Sequence, residues 1–423
     1  MFRANIASYE KIFFKIICYK SLVLKWFRSQ MYLKQLDITS LRNLKPQRLH
    51  FSPGVNAFYG ANGSGKTSIL EAIHVLSLGR SFRTANLQQV IQFEEPKYVV
   101  AGVIDDVLAA EQGISIKVGT ERARERARTL FIRDGERCFV GELYKLLPIL
   151  LFDSSSLELL IGGADWRRDF IDLGMFHVEH SFLGVCQRFK RCLLQRNAEL
   201  KAETTLSQKR KQIEAWNETF ISTAEAIDAA RKAFLADFVG IFNNLIAGWQ
   251  YCGQVSFQYK QGWADDLGLE QVLENNLLMD IACGFTNRGP HRAELEICVD
   301  GVAAKTVLSR GQQKVFVCAM LLAKAVFLKE KAQINNIFLV DDLNSELDNS
   351  SFKLVFDKLV EIGGQIFITG IDREALINGM HNKNGDNIKT KTKTKIKLFH
   401  VEQFGVVVED DWGKEGIVVE MAS

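Results

Sequence analysis

The eight residues GANGSGKT, Gly60 to Thr67, fit the pattern G-x-x-x-x-G-K-[ST]. They follow the strand-patterned stretch RLHFSPGVNAFYG and run into TSILEAIHVLSLG. There Ile69, Ala72, Ile73 and Leu76 keep helical spacing until Gly79 ends the run. Strand, glycine loop and helix in that order is the context this motif requires. Glycines let the backbone close around an anion, so that N–H groups and the helix N-terminus face phosphates. Gly60, Ala61, Asn62, Gly63, Ser64 and Gly65 form the cradle. Lys66 supplies a compact positive charge to the terminal phosphates, and the Thr67 hydroxyl is placed to ligate Mg²⁺. A glycine turn without a ligand is the plainer alternative, but it leaves the strand–loop–helix order unexplained. The loop reads as a nucleoside-triphosphate site, and it makes the fold α/β of the P-loop kind.

A second acidic element lies far downstream, in NNIFLVDDLNSELD, Asn335 to Asp348. An apolar strand, Ile337 to Val340, delivers Asp341 and Asp342 to its C-terminal edge, where α/β sheets bind their ligands. Asp341 suits the Mg²⁺ shell, and Asp342 suits the orientation or deprotonation of an attacking water. Two acids after a strand can also cap the next helix; the phosphate loop upstream favours the first reading. A third element, VLSRGQQKVF (Val307 to Phe316), is a Ser-x-Gly-Gln turn running into an apolar helix. Ser309, Gly311 and Gln312 are arranged as if to hold an anion, yet this turn begins more than two hundred residues after Thr67.

Between these elements the pattern changes twice. Residues 32–60, 97–118 and 129–140 alternate like strands, with turn signals at Asp105-Asp106 and Asp134-Gly135. From about 167 to 250 helical periodicity takes over, and Ile213, Trp216, Phe220, Ala224, Ile227, Phe234 and Phe238 form one stripe that reads as packed core. Strand patterns return near 254–260 and 293–299, followed by the helix after Gln313, the strand INNIFLV, another helix and the strand QIFIT. The expected organisation is an extension over 1–30, the first part of a nucleotide-binding lobe over 31–165, a helical lobe over 166–280, the remainder of the nucleotide-binding lobe over 281–405, and a tail over 406–423.

Composition narrows the setting. The chain has 423 residues, 47% of them hydrophobic, which is ample for real cores, and its five prolines exclude a linker-dominated protein. Eight cysteines without a CxxC pair read as reduced thiols, which places the protein in the cytoplasm. No apolar run reaches transmembrane length, so no membrane is expected. The net charge of +3 is misleading, because residues 1–30 carry six Lys/Arg against one Glu and Lys389 to Lys397 carry five lysines. The remainder is mildly acidic, so a nucleic-acid surface must be a local patch. The basic N-terminal segment is either a targeting or membrane-surface helix or the product of a start codon placed upstream of Met31. The strand pattern that opens at once at Met31 favours the latter. The lysine run reads as a solvated hairpin tip or disordered insertion.

In ERARERARTLFIR, Arg122, Arg124, Arg126 and Arg128 fall on alternate residues, which places all four on one face of a strand. With Arg167 and Arg168 and the basic run Gln187 to Arg191, they are the candidate contacts for DNA phosphates. The alternative is a solvated edge balanced by Glu121 and Glu125. Arg42, in the turn SLRNL, is a candidate for the nucleotide instead.

The order of phosphate loop, LSRGQ turn, VDD strand and Ser345-Glu346-Leu347-Asp348 resembles the heads of ABC-type ATPases. Within that class, GMFHVEHSFL (Gly174 to Leu183), TNRGPHRAELE (Thr286 to Glu296), LSRGQQK and FHVEQ (Phe399 to Gln403) resemble the RecF family of bacterial recombination mediators over about 31–405. The resemblance implies a head (lobe I) with an inserted compact helical lobe (lobe II), and the lack of sustained heptads agrees. It implies ATP with Mg²⁺ as ligand and a homodimer formed in the presence of ATP. In that dimer Ser309, Gly311 and Gln312 of one copy reach the γ-phosphate held by the other. It also implies work on double- and single-stranded DNA, at gaps and junctions, in replication, recombination and repair with RecO and RecR. Three departures point to weak, regulated hydrolysis: Thr369 stands where many ABC ATPases have a switch histidine, Asp342 replaces the usual Glu, and LPILLFDSSSLELL has no Q-loop Gln. A short-armed chromosome-structuring tether and a transporter-type ATPase subunit remain the alternatives.

Overall fold

In MYLKQLDIT, Leu33, Leu36 and Ile38 are buried, the alternation being shifted by an irregularity between Leu33 and Gln35, and this stretch is the first strand of a computed structural model of the chain. The structure describes residues 31–107, 115–126, 128–179, 181–249, 253–380, 394–410 and 417–419. The N-terminal extension and most of the lysine run lie outside these.

The strands are β1 (Met31–Thr39), β2 (Gln47–His50), β3 (Val55–Tyr59), β4 (Lys97–Asp106), β5 (Ser115–Ala123), β6 (Leu130–Arg133), β7 (Glu136–Arg137), β8 (Ile149–Phe152), β9 (Val255–Lys260), β10 (Glu294–Val299), β11 (Val302–Ala303), β12 (Ile337–Val340), β13 (Gln365–Gly370), β14 (Thr394–Val401), β15 (Val407–Glu409) and β16 (Ile417–Val419). The main helices are α1 (Lys66–Leu78), α2 (Ala164–Val178), α3 (Phe182–Lys201), α4 (Leu206–Ile246), α5 (Leu269–Cys283), α6 (Arg310–Ala332) and α7 (Asn349–Ile362).

Two compact units divide the chain, one formed by residues up to Ser154 and from Leu328 onward, the other by Ser155–Phe327. The first unit contains an antiparallel sheet in the order β2-β1-β4-β5-β6-β7 and a mostly parallel sheet in the order β15-β14-β3-β13-β12-β8, with β16 on β14. Between them lies α1, whose residues Ile69, Leu70, Ile73 and Leu76 are fully buried in a core shared with Leu36, Tyr98, Val100, Leu339 and Phe367. The parallel strands are continuous apolar runs because both faces are covered. The turn signal Asp134-Gly135 is a β6–β7 hairpin turn with both residues at positive φ, 49° and 88°. The C-terminal residues are more than a tail, since β15 and β16 both pair with β14.

The second unit packs its helices on the hairpin β9–β10–β11. Phe170, Phe234, Phe238, Phe242, Phe257 and Phe316 interlock there, mostly edge to face, with ring centroids 5.0–6.0 Å apart. The helical stripe holds for Ile213, Phe220, Ala224, Ile227, Phe234 and Phe238, all buried on α4, but Trp216 is 37% exposed. Among the described residues no helix is long and apolar enough to cross a membrane.

Candidate nucleotide-binding site

Because β3 lies inside a parallel sheet, the loop leaving its C-terminal end emerges where such sheets bind ligands. Gly60, Gly63 and Gly65 take φ of 150°, 78° and 122°, and α1 begins at Lys66. The Lys66 ammonium donates to the carbonyls of Gly60 (2.7 Å) and Ala61 (2.9 Å), folding across its own loop. Burial pulls its pKa below the ordinary lysine value, against the raising effect of the Asp342 and Asp341 carboxylates.

The strand order β3-β13-β12 does the rest. Asp341 follows β12, α1 follows β3, and Thr369 sits on the strand between. Asp341 Oδ1 accepts from both Thr67 Oγ1 (3.0 Å) and Thr369 Oγ1 (2.9 Å), while Thr369 Oγ1 accepts from the Asp342 amide (2.8 Å). Burial raises the Asp341 pKa above the usual carboxylate value; the two hydroxyls oppose this, and the nearby carboxylates of Asp153 and Asp342 add to it.

Asp342 adopts the left-handed conformation (φ 50°) at the N-cap position of a short turn, Leu343–Glu346, yet its side chain makes no capping bond. Its Oδ1 is buried without a hydrogen-bond partner and its side chain lines the cleft. Capping is therefore not what Asp342 does.

The cleft measures about 510 Å³ and is lined by Asn62, Gly63, Lys66, Thr67, Asp342 and Thr369, with Arg42, Asn43 and Arg83 among its other walls. Ser64 Oγ is buried without a partner, and a Cβ on Gly63 would meet nothing within 4 Å, so the loop opens onto free space. One ammonium, one hydroxyl and two carboxylates form a donor set that fits a triphosphate with a hard divalent cation. Thr67 and Asp341 already share a hydrogen bond, so their oxygens are adjacent.

Arg42 lines this cleft with its charge engaged. Its Nε and Nη2 donate to Glu71 at 2.8 and 2.7 Å, and Nη1 donates to the Gln89 carbonyl at 2.8 Å. Glu71 lies on α1 at 0% exposure, and Arg83 approaches it at 3.5 Å. Sequence reasoning missed Glu71, Arg83 and Asn43, because one acid in an apolar helix and two polar residues in loops carry no periodic signal.

Ser309, Gly311 and Gln312 belong to the second unit, at the start of α6. The Ser309 amide donates to Gln312 Oε1 (2.9 Å) and the Gln312 amide to Ser309 Oγ (3.4 Å), a reciprocal capping box. Ser309 thus has a role within its own chain, and it is exposed.

The arginine run needs correction. Only Arg122 lies on β5, which ends at Ala123; Arg124, Arg126 and Arg128 follow it and share no strand face. The strand stops because Arg124 turns its guanidinium onto the carbonyls of Glu95 (2.8 Å) and Gln92 (3.0 Å), while the Arg126 amide donates back to Ala123. Arg126 approaches Glu121 at 3.8 Å, and Arg128 is exposed. Arg167 is no surface charge: at 8% exposure it forms a two-pronged pair with Glu294 (2.6 and 2.9 Å) and bonds the Gly162 carbonyl. Arg168 donates to the Ala293 carbonyl at 2.8 Å and lies 3.6 Å from Asp165. Both are held by the packing of α2 on β10.

Sheet order and site geometry define the class: an α/β P-loop ATPase head of ABC type with a helical lobe inserted into it. A family model described as RecF/RecN/SMC N terminal domain matches residues 32–395. "DNA replication and repair protein RecF" of Pseudomonas putida (strain GB-1) is 37% identical over 373 residues, 88% of this chain and 97% of its own length. The protein of the same name from Pseudomonas paraeruginosa (strain DSM 24068 / PA7) is 38% identical, over 88% of this chain and 96% of its own. The chain belongs to the RecF family, as the four segments read from the sequence imply. Its fold is similar to that of the recombination mediator protein RecF in the RecFOR pathway, solved with ATP, at a TM-score of 0.76 and 24% identity, covering 90% of this chain and 98% of that one.

Proposed function

We propose that the chain is an ATP-dependent DNA-binding protein of replication and recombinational repair in the cytoplasm, in which a slow ATPase acts as a switch. The observation that carries the nucleotide reading is the convergence of Lys66 and Thr67, after β3, with Asp341 and Asp342, after β12, from two strand ends separated in the sheet by β13. Lys66 holds the β and γ phosphates. Thr67 and Asp341 would hold Mg²⁺, which supplies charge neutralisation at the phosphate oxygens. Asp342 orients the attacking water and accepts its proton as the γ-phosphorus–oxygen bond to ADP breaks. Its carboxylate reaches about one methylene less far than a glutamate's, which favours slow turnover.

In this reading two copies meet head to tail, and the exposed capping turn Ser309–Gln312 of one completes the triphosphate site of the other. Only ATP has oxygens at that distance, so hydrolysis releases the pair. The names of the relatives support DNA as the target and the RecFOR pathway as the setting; gaps and junctions as sites of action, with RecO- and RecR-type proteins as partners, follow from the family resemblance alone. Of the arginine run, the exposed Arg126 and Arg128 are the proposed phosphate contacts.

Sedimentation with and without ATP tests the pairing. Wild type is expected to shift to a dimer with ATP, and Ser309→Arg to bind ATP as a monomer only. A Ser309→Arg protein that dimerises normally overturns the shared site. Junction DNA that leaves ATP turnover unchanged counts against the DNA role.

A further inference from the structure

Behind the phosphate loop lies a wall that the cleft residues do not include. Strand β14 runs parallel to β3 with His400 beside Tyr59, the last residue before the loop. The Val401 carbonyl lies 2.3 Å from where a Cβ on Gly60 would sit, so only glycine fits there. The chain then closes a turn, with the Glu402 amide donating to the Val406 carbonyl (2.8 Å), and Gly405 takes φ 72° at its tip. A Cβ on Gly405 would stand 2.8 Å from Leu44 Cα and 2.9 Å from the Asn43 carbonyl oxygen. Gln47 fastens this contact: its Nε2 donates to the Gly405 carbonyl (2.8 Å) and its Oε1 accepts from the Val407 amide (3.1 Å). On its other side the Asn43 side chain donates to the carbonyls of Gly63 (3.2 Å) and Ser64 (3.5 Å) and accepts from Ser68 Oγ (3.2 Å).

We infer that the C-terminal turn 402–406 is part of the nucleotide site, holding the phosphate loop open through Asn43, with Gly405 and Asn43 as positioning residues. The inference rests on the ATP reading of the loop. The physical case is geometric. A glycine loop has more backbone freedom than any other, and each conformation it samples away from the cradle lowers phosphate affinity. Asn43 takes the carbonyls of Gly63 and Ser64, which holds two peptide units of the loop to one orientation. Asn43 itself is fixed because Leu44 is wedged between Gly65 and Gly405, with a Cβ on Gly65 falling 2.9 Å from Leu44 Cδ2 and 3.3 Å from Gly405 Cα. Glycine at 405 is required for that approach, and a methyl group there must displace the Asn43–Leu44 backbone.

The test is ATP affinity by calorimetry on the full chain, alongside the melting temperature of each ligand-free protein. Asn43→Leu keeps the branching and heavy-atom count of the side chain and removes its hydrogen bonds; Gly405→Ala adds only the methyl. Each is expected to weaken ATP binding about tenfold, the effect of losing a hydrogen-bonded restraint or two. In the Asn43→Leu background, Gly405→Ala is expected to add less than about twofold, because the turn acts through Asn43. Should Gly405→Ala fail to fold, Asn43→Leu alone decides. Asn43→Leu that binds ATP as wild type does, or fully multiplicative effects in the double variant, overturns the inference while leaving the ATP reading intact. Wild type that binds no ATP overturns both.

Discussion

Thr369 Oγ1 donates to Asp341 Oδ1 over 2.9 Å, from the position where many ABC-type ATPases place a switch histidine. The same oxygen accepts from the Asp342 amide at 2.8 Å, so one hydroxyl holds both acids of the VDD motif. The threonine acts by fixing the Asp341 carboxylate and the Asp342 backbone amide.

Thr369→Val keeps the shape and removes both bonds. Hydrolysis is expected to fall about tenfold or more, the usual effect of losing a group that orients reacting ligands, with ATP affinity changed by less than about threefold. Thr369→Ser is expected to restore the rate. Single-turnover hydrolysis beside equilibrium binding separates the two effects, and an unchanged rate in Thr369→Val sinks the positioning role.

Much of this site was legible in sequence because its parts are local. The loop Gly60–Thr67 and the pair Asp341-Asp342 each announce themselves by a strand that stops at a turn. What stayed hidden depends on strand order. That Thr369 touches Asp341 follows from β13 lying between β3 and β12, and no spacing in the chain encodes that neighbourhood. Glu71, Arg83 and Asn43 were silent because an acid in an apolar helix and polar residues in loops carry no periodic signal. The arginine run failed differently: alternation over ERARERAR matches a strand, but a long side chain with backbone carbonyls in reach bends the chain away from it. Trp216 kept the helical period and is still partly exposed, so periodicity alone did not mark the edge of the buried stripe.

Ser309 caps α6 and, in the proposed dimer, faces the partner's triphosphate, and choosing the substituent separates the two. Ser309→Asp retains a strong N-cap for α6, so its ligand-free stability is expected to stay within about 0.5 kcal/mol of wild type. It also sets a negative charge against the partner's triphosphate, so ATP-dependent dimers are expected to disappear. Ser309→Ala should do the reverse in part, lowering stability by about 1 kcal/mol through the lost cap. Denaturant titration and sedimentation read the two quantities independently. Dimers of normal strength in Ser309→Asp would mean that the hydroxyl serves only the helix.

His74, on the face of α1 that enters the core, is buried; its Nδ1–H donates to the Arg80 carbonyl (2.7 Å) and its ring meets Phe82 edge-on. Burial lowers its pKa to about 4, helped by the Arg80 charge and opposed by that hydrogen bond and by Glu71. The unfolded chain takes up this proton near pH 6.5 and the folded chain only near 4. Stability from this group is therefore full above pH 6.5 and falls as pH drops from 6.5 toward 4. The full loss is on the order of 3 kcal/mol. Denaturant titrations at pH 7 and pH 5 on wild type and His74→Gln give the comparison, and an equal pH slope in both proteins rules His74 out as the source.

The start of the segment TNRGPHRAELE is held by an ion pair with almost no access to water. Arg196 and Asp280 are 1% and 0% exposed in their side chains, with Nη1 to Oδ2 at 2.9 Å. The other Asp280 oxygen accepts from the amide (2.9 Å) and side chain (3.0 Å) of Asn287, and Arg196 also donates to Thr286. The pair thus clips α3 and α5 to the start of that segment. Desolvating two charges offsets most of their attraction, so the pair adds little net stability; removing one partner strands the other in a low-dielectric site. Asp280→Ala is accordingly expected to cost about 3–5 kcal/mol. Arg196→Met combined with Asp280→Leu, which removes both charges and keeps apolar volume beside Phe220, is expected to cost much less than either single change. Denaturant unfolding of the three variants decides between this account and simple packing: if the double variant loses as much as the two single changes added together, volume rather than stranded charge governs this core.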